Sequence, residues 1–368
     1  LNNGLKLKMP LLGLGTWQTP GEEDYLWGRV DKEEAKEAVK AALDAGYRHI
    51  DTAAIYGNGQ KPGQSEEEVG EAIKEALEEG SVVVITKYKR EDIFITSDKL
   101  WNTFGPDLSE YGHSPKHVRE ALEKSLKRLG LDYVDLYLIH WPDPFKPGIE
   151  DKYPLGFPTD DDGKLIYEDV PIEETWKALE KLVDEGKVRS IGVSNFSAEQ
   201  LEELLSYAGK LKLIPPVVNQ VELHPYLRQD ELRKVPLLPF CKSHGIAVTA
   251  YSPLGSGLLT GKYKTEEDIP GDRRSLLGAD KGWSELGSPE LLEDPVLKAI
   301  AEKYGYKDKT PAQVALRWAL QRGGGAGVVV VIPKSSNPER IKENLKAFDD
   351  FELTEEDMKA IDELDRGK

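Results

Sequence analysis

Eight short runs rich in Val, Ile and Leu recur along this chain, at residues 11–16, 49–53, 93–97, 136–140, 190–195, 217–222, 247–252 and 328–333. Between them lie amphipathic segments with helix start and stop signals. Ser114-Pro115 opens and Gly130 closes one that carries Val118, Leu122 and Leu126 on a shared face, and similar punctuation recurs over 31–46, 171–186 and 197–209. A nearly continuous apolar strand must be covered on both faces, and a crossover helix between successive strands supplies that cover. The pattern therefore predicts an α/β fold with a parallel sheet, and eight units favour closure into a (β/α)8 TIM barrel. A length of 368 residues fits one such domain with insertions, spanning 1–368, with inserted loops near 57–64, 105–112 and 210–216.

Composition narrows the function classes. A formal net charge of −17 opposes a polyanionic partner, because phosphate contacts need clustered Lys and Arg. The acidic excess sits in Glu-rich stretches such as 65–80 and 354–365, which read as solvated helix faces. No run approaches the roughly 18–20 apolar residues of a membrane helix, and the first ten residues lack the basic start and apolar core of a secretory signal. The lone Cys241 fits a reducing compartment and reads as a buried structural thiol. The expectation is a cytoplasmic monomer or weak dimer that acts on a small molecule, with neither nucleic acid nor membrane as a partner.

In a barrel of this kind the C-terminal ends of the strands carry the chemistry. Sorted by that rule, Asp51 and Tyr56 follow the second run, Lys99 the third, His140 and Trp141 the fourth, Ser194 and Asn195 the fifth, Gln220 the sixth, Tyr251 the seventh and Lys334 the eighth. The glycines at 323–325 precede the eighth run and so read as a turn on the opposite rim rather than a phosphate loop. Four of the strand-end residues, Asp51, Tyr56, Lys99 and His140, make a proton-transfer set. A phenol with an ordinary pKa near ~10 stays protonated at neutral pH and can donate to an oxygen that gains negative charge. A neighbouring ammonium lowers that pKa, a carboxylate holds the ammonium, and an imidazole keeps the substrate oxygen in line. Reduction of a carbonyl is the reaction such a set suits. Singly, each residue reads as a turn cap, a loop contact or a strand end, and only their joint placement favours catalysis. His113 and His117 are four apart but have no third ligand at suitable spacing, so no metal is expected.

Gly13-Leu-Gly-Thr-Trp17, Gly46-Tyr-Arg-His-Ile-Asp-Thr-Ala53 with Tyr56, Leu138-Ile-His-Trp-Pro142, Ile191-Gly-Val-Ser-Asn-Phe196, Asn219-Gln-Val-Glu-Leu-His-Pro225, Tyr251-Ser-Pro-Leu-Gly255 and Ile332-Pro-Lys-Ser-Ser-Asn-Pro-Glu-Arg340 together resemble the aldo-keto reductase family. The resemblance covers nearly the whole chain. It implies a barrel that reduces aldehydes and ketones with NADPH, Tyr56 being the general acid, Lys99 and Asp51 tuning it and His140 orienting the carbonyl. By the same resemblance the cofactor is met by Thr16, Trp17, Ser194, Asn195, Gln220, Tyr251, Ser252, Leu254, Ser256, Lys334, Ser335, Arg340, Glu343 and Asn344. Tyr251 is expected to stack on the nicotinamide, Ser194, Asn195 and Gln220 to bind its carboxamide, and Leu254 and Ser256 to lie along the pyrophosphate. Lys334, Ser335 and Arg340 surround the start of a helix at Pro338, where backbone amides and two cations suit a phosphate. The resemblance makes that group the adenosine 2'-phosphate, with Glu343 and Asn344 at the adenine. Trp17, Trp101 and Trp141 flank motif residues and are expected to wall an apolar substrate pocket.

One departure from the family pattern bears on the mechanism. Family members run Ser directly into the catalytic Lys, whereas Asp98 intervenes here between Ser97 and Lys99. An added residue moves the remainder of a strand to its other face unless a bulge absorbs it. Lys87, in Ile85-Thr-Lys-Tyr88, has similar surroundings but lacks the following Leu-Trp. The second reading is therefore a barrel, recombined or designed, that folds and binds NADPH without turnover.

Overall fold

The computed structural model describes residues 8–17, 33–54, 56, 63–78, 89–99, 112–144, 146, 160, 162, 164–229, 235–261, 263, 294–303, 309–323, 329–348 and 351–365, with the backbone alone at 78, 92, 98 and 99. Every apolar run carries a strand, seven of them lying within their runs and β3 extending two residues past the run at 93–97: β1 (Leu14–Gly15), β2 (His49–Ala53), β3 (Phe94–Lys99), β4 (Leu136–Ile139), β5 (Ile191–Ser194), β6 (Val218–Glu222), β7 (Ala247–Tyr251) and β8 (Val329–Val331). The strands pair in chain order, every pair parallel. The sheet closes on itself where Gly13 N–H donates to Val331 O at 2.9 Å and Val331 N–H donates to Leu11 O at 3.0 Å. Closure leaves no exposed edge, and it needs a glycine at 15, where a Cβ would lie 2.8 Å from the Ile332 carbonyl oxygen. The chain is a (β/α)8 barrel.

Helices alternate with the strands: α1 (Glu34–Ala45), α2 (Gln64–Glu78), α3 (Pro115–Leu129), α4 (Ile172–Asp184), α5 (Ala198–Leu211), α6 (Leu237–Ser243), α7 (Pro295–Glu302), α8 (Pro311–Arg322), α9 (Pro338–Leu345) and α10 (Glu355–Asp362). Their ends obey local chemistry. Ser114 caps α3, with Pro115 in its first turn, and Gly130 ends it at φ 63, its N–H reaching Leu126 O and Lys127 O. Ser197 and Gln200 form a reciprocal capping box on α5. No helix among the described residues is long and apolar enough to cross a membrane.

Alternation along the strands divides two regions. Ile50, Ile95, Tyr137 and Ile139 join the main core with helix residues such as Val39, Val69, Val118 and Trp176. The intervening Phe94, Leu136 and Leu138 belong to a separate cluster with Val217 and Val218, inside the ring. The expected loop at 210–216 begins inside α5, which runs to Leu211, and the part beyond it is anchored, because Trp176 Nε1–H donates to Ile214 O at 2.7 Å and Ile214 N–H donates to Glu180 Oε1 at 2.9 Å. Of the other two expected insertions only Gly63, Gln64 and Gly112 lie among the described residues, as does only Gly323 of the three glycines.

The acidic stretches are less solvated than their composition implies. Glu66, Glu68 and Asp357 are buried. Glu66 pairs with Arg128 at 2.6 Å, Asp357 pairs with Lys303 at 2.7 Å, and Glu68 accepts from the Ala35 N–H at 2.9 Å. Tertiary partners brought from far along the chain satisfy charges that helical periodicity had placed in water.

His49 is fully buried near the base of the ring, where its Nε2 meets Thr96 Oγ1 at 2.9 Å. Burial pulls its pKa down to about 4, against a smaller opposing effect from the backbone at Pro10. The folded chain thus binds fewer protons here than the unfolded one, whose imidazole titrates near ~6.5. Stability is fully present above that value and falls as pH drops toward the folded pKa, by up to about 3 kcal/mol. Urea titrations at a series of pH values should show the acid-side loss flattened in His49→Leu; an unchanged limb would assign it to another group.

Candidate active site

Asp51, His140, Ser194, Asn195, Gln220 and Tyr251, from β2 and β4 to β7, are joined by hydrogen bonds, and Tyr56 adds a ring contact with His140. Tyr56 is fastened on both sides: its N–H donates to Ala53 O at 3.0 Å, turning the chain off β2, and its carbonyl accepts from Ser65 N–H at 3.1 Å as α2 begins. Its ring stands edge-to-face with His140, centroids 6.4 Å apart and planes at 89°. His140 comes directly after β4, and its carbonyl accepts from Asn195 Nδ2 at 2.9 Å. Asn195 has φ 62, a left-handed conformation that Asn tolerates better than most residues, and it aims both ends of its amide into the set. Asn195 Oδ1 accepts from the Tyr251 hydroxyl at 3.0 Å, and Asn195 Nδ2 reaches Ser194 Oγ at 3.1 Å. Ser194 Oγ–H donates to Gln220 O, and Gln220 Nε2–H donates to Asp51 Oδ2, each at 2.9 Å. Asp51, Ser194 and Gln220 are almost wholly buried. Burial, reinforced by the Glu222 charge, holds the Tyr251 phenol well above its ordinary range, so it remains a neutral donor.

β3 pairs without interruption up to its last residue, with Asp98 opposite Leu138 and Lys99 opposite Ile139. The extra residue is thus taken up by continuing the ladder and not by a bulge within the described pairs. Position 98 shares a row with Thr96 and Leu138, and position 99 shares one with Ser97 and Ile139. The Lys99 side chain, Trp101 and Lys87 lie outside the described residues. Trp17 is 39% exposed and Trp141 half-buried, both beside strand ends.

The sequence profile of the aldo/keto reductase family matches residues 11–366. This chain belongs to the aldo-keto reductase family. It is 46% identical over 359 residues to aldo-keto reductase family 1 member C3 of Homo sapiens, covering 97% of this chain and 88% of that protein. It is 47% identical over 360 residues to prostaglandin F synthase 1 of Bos taurus, again 97% and 88% of the two chains. Among solved structures, the aldose reductase of Schistosoma japonicum superposes with a TM-score of 0.70 at 38% identity, covering 100% of this chain and 91% of that one.

In this aldo-keto reductase the residues after β8 form a second polar region. Lys334 pairs with Glu34 at 3.1 Å. Ser335 Oγ accepts from Asn337 N–H at 3.2 Å, and Asn337 Oδ1 caps α9 by accepting from the N–H groups of Glu339 and Arg340 at 2.9 and 3.2 Å. The Arg340 side chain is exposed and makes no ion pair among the described residues. Glu343 is exposed, whereas Asn344 is buried in the same turn of α9 as Ile341, whose carbonyl accepts from the Tyr47 hydroxyl at 3.0 Å. After β7, Ser252 (φ 46) and Ser256 (φ 54) bend the chain around Leu254. Thr16 N–H donates to Asp51 O at 3.0 Å, and Thr16 Oγ1 accepts from Ser65 at 3.0 Å.

Three contributors escape a reading of the sequence. Asn219 clamps the turn after β5, accepting from Phe196 N–H at 3.4 Å and donating to Phe196 O at 2.9 Å. Ser65 holds Thr16, and Glu34 holds Lys334. Asn219 alone leaves a signal, as a polar residue inside an apolar run.

Proposed function

We propose that this chain reduces carbonyl compounds with NADPH, Tyr56 serving as the general acid. The observation that carries the reading is the Tyr56–His140 ring pair at the rim, tied through Asn195, Ser194 and Gln220 to Asp51. When bound, NADPH supplies the hydride that forms the new C–H bond at the carbonyl carbon. Tyr56 transfers its hydroxyl proton to the oxygen that takes up the C=O electron pair. His140 keeps that oxygen in line and Asp51 stands behind the phenol. Lys99, which the resemblance makes its partner, shares the row of Ser97 and Ile139 that packs against the helices, so its part in easing proton loss requires the chain beyond β3 to turn the ammonium back to the mouth. Asn195, Gln220 and Ser194 offer amide and hydroxyl groups of both polarities, which suits a carboxamide, and Tyr251 offers a ring face for stacking.

The donor set after β8 fits a phosphate. An exposed guanidinium, an ammonium and a hydroxyl surround the start of α9 in a protein of net charge −17. Lys334, Ser335 and Arg340 would hold the 2'-phosphate, Leu254 and Ser256 the pyrophosphate, and Glu343 and Asn344 the adenine. Thr16, Trp17 and Ser252 complete the cofactor contacts. Trp17 and Trp141, with Trp101, favour a carbonyl on an apolar body, in keeping with a relative named for prostaglandin F synthesis. One barrel domain is proposed to carry the whole reaction.

Two assays test this together. NADPH should quench tryptophan fluorescence, and adding an aromatic aldehyde should consume it; quenching without consumption would make the chain a binder that does not turn over. Arg340→Ala should raise the NADPH dissociation constant about tenfold and leave that of NADH within about twofold, the loss expected for one charge-assisted phosphate contact. Equal weakening of both cofactors would remove the 2'-phosphate assignment.

A further inference from the structure

Before any phosphate arrives, the cation at the end of β8 already holds an anion. Lys334 Nζ lies 3.1 Å from Glu34 Oε1, with both side chains 28% exposed. Glu34 is the first residue of α1, 300 positions away in sequence, and comes after Glu33, which takes the left-handed conformation at φ 79. The first turn of a helix favours a carboxylate, so Glu34 is stable where it stands. A carboxylate oxygen accepts from an ammonium as a phosphate oxygen does, and Glu34 therefore occupies the partner that the 2'-phosphate would claim.

The two cofactors meet this carboxylate differently. A phosphate monoester brings about −1.5 to −2 charges and is repelled by Glu34 while competing for Lys334. A ribose hydroxyl brings no charge, and it can donate to a carboxylate. Arg340, which makes no ion pair among the described residues, is left as the cation more readily available to the phosphate. We propose that Glu34 is a cofactor-discriminating residue, whose carboxylate competes with the 2'-phosphate for Lys334 and narrows the preference for NADPH over NADH. The proposal rests on the reading of Lys334, Ser335 and Arg340 as the 2'-phosphate site.

Fluorescence titration of each cofactor, without substrate, tests it on the intact chain. Glu34→Gln should tighten NADPH about three- to tenfold, as expected for releasing a partly exposed ion pair and removing one like charge, and should leave NADH within about twofold. Glu34→Lys should move the NADPH-to-NADH ratio further the same way. Retained NADH affinity shows that the variants fold. A ratio that stays fixed in both variants, or shifts toward NADH, overturns the proposal. If Arg340→Ala still weakens NADPH selectively in that case, only the role of Glu34 fails; if Arg340→Ala weakens both cofactors alike, the phosphate site and the proposal fall together.

Discussion

Tyr56→Phe is expected to lower kcat about 10³-fold while leaving the NADPH dissociation constant within about twofold. The substitution removes one hydroxyl and keeps the ring, so the edge-to-face contact with His140 should survive and only the transferable proton is lost. Steady-state rates measured by NADPH absorbance, beside fluorescence titration of the cofactor, separate the two effects. A variant within tenfold of the parent rate would take the general-acid role from Tyr56. The buried Tyr251 hydroxyl is a poor substitute, because burial holds its proton tightly and the group is already committed to Asn195.

The largest expected loss of stability lies behind the third strand. Arg128 Nε meets Glu66 Oε2 at 2.6 Å, and Glu66 Oε1 accepts from Ser97 Oγ at 2.9 Å. Glu66 is fully buried, and burial pushes its carboxyl pKa up despite the guanidinium. Arg128→Met strands that carboxylate and should cost about 3–5 kcal/mol by urea unfolding at neutral pH. Because the folded pKa lies above the unfolded value near ~4.3, the group's contribution is fully present below the unfolded value and is lost as pH rises through the folded one. Removing Arg128 raises the folded pKa further, so the variant's deficit should shrink as pH is lowered toward ~5. A double variant, Arg128→Met with Glu66→Leu, should recover most of the loss. A single variant within about 1 kcal/mol of the parent would show that the pair contributes little. The pair also grips Ser97 in β3.

Much of the architecture was legible in the chain because its signals are local. Strands β2, β4, β6 and β7 lie within a residue or so of their apolar runs, as burial on both faces leaves little choice of residue. β1 and β8 came out shorter than their runs, 2 and 3 residues, although pairing around them still closes the ring. Asp51, Tyr56 and His140 were readable as strand-end residues, and the structure joins Tyr56 to His140 and Asp51 to Gln220. Less legible were residues whose role depends on a distant partner. Glu66 reads as an ordinary helix-surface acid until Arg128, 62 positions later, is packed against it.

The order of the strands, the rim that carries the polar residues and the family itself are all set by the chain, because periodicity, capping and motif spacing depend on neighbours a few residues apart. Tertiary structure alone decided that Gln220 reaches Asp51 across 169 positions, that Lys334 is held by Glu34 across 300, and which acids are buried. Closing the ring brings together side chains that no short-range pattern relates, and the cost of removing a charge from water then selects which of them must pair.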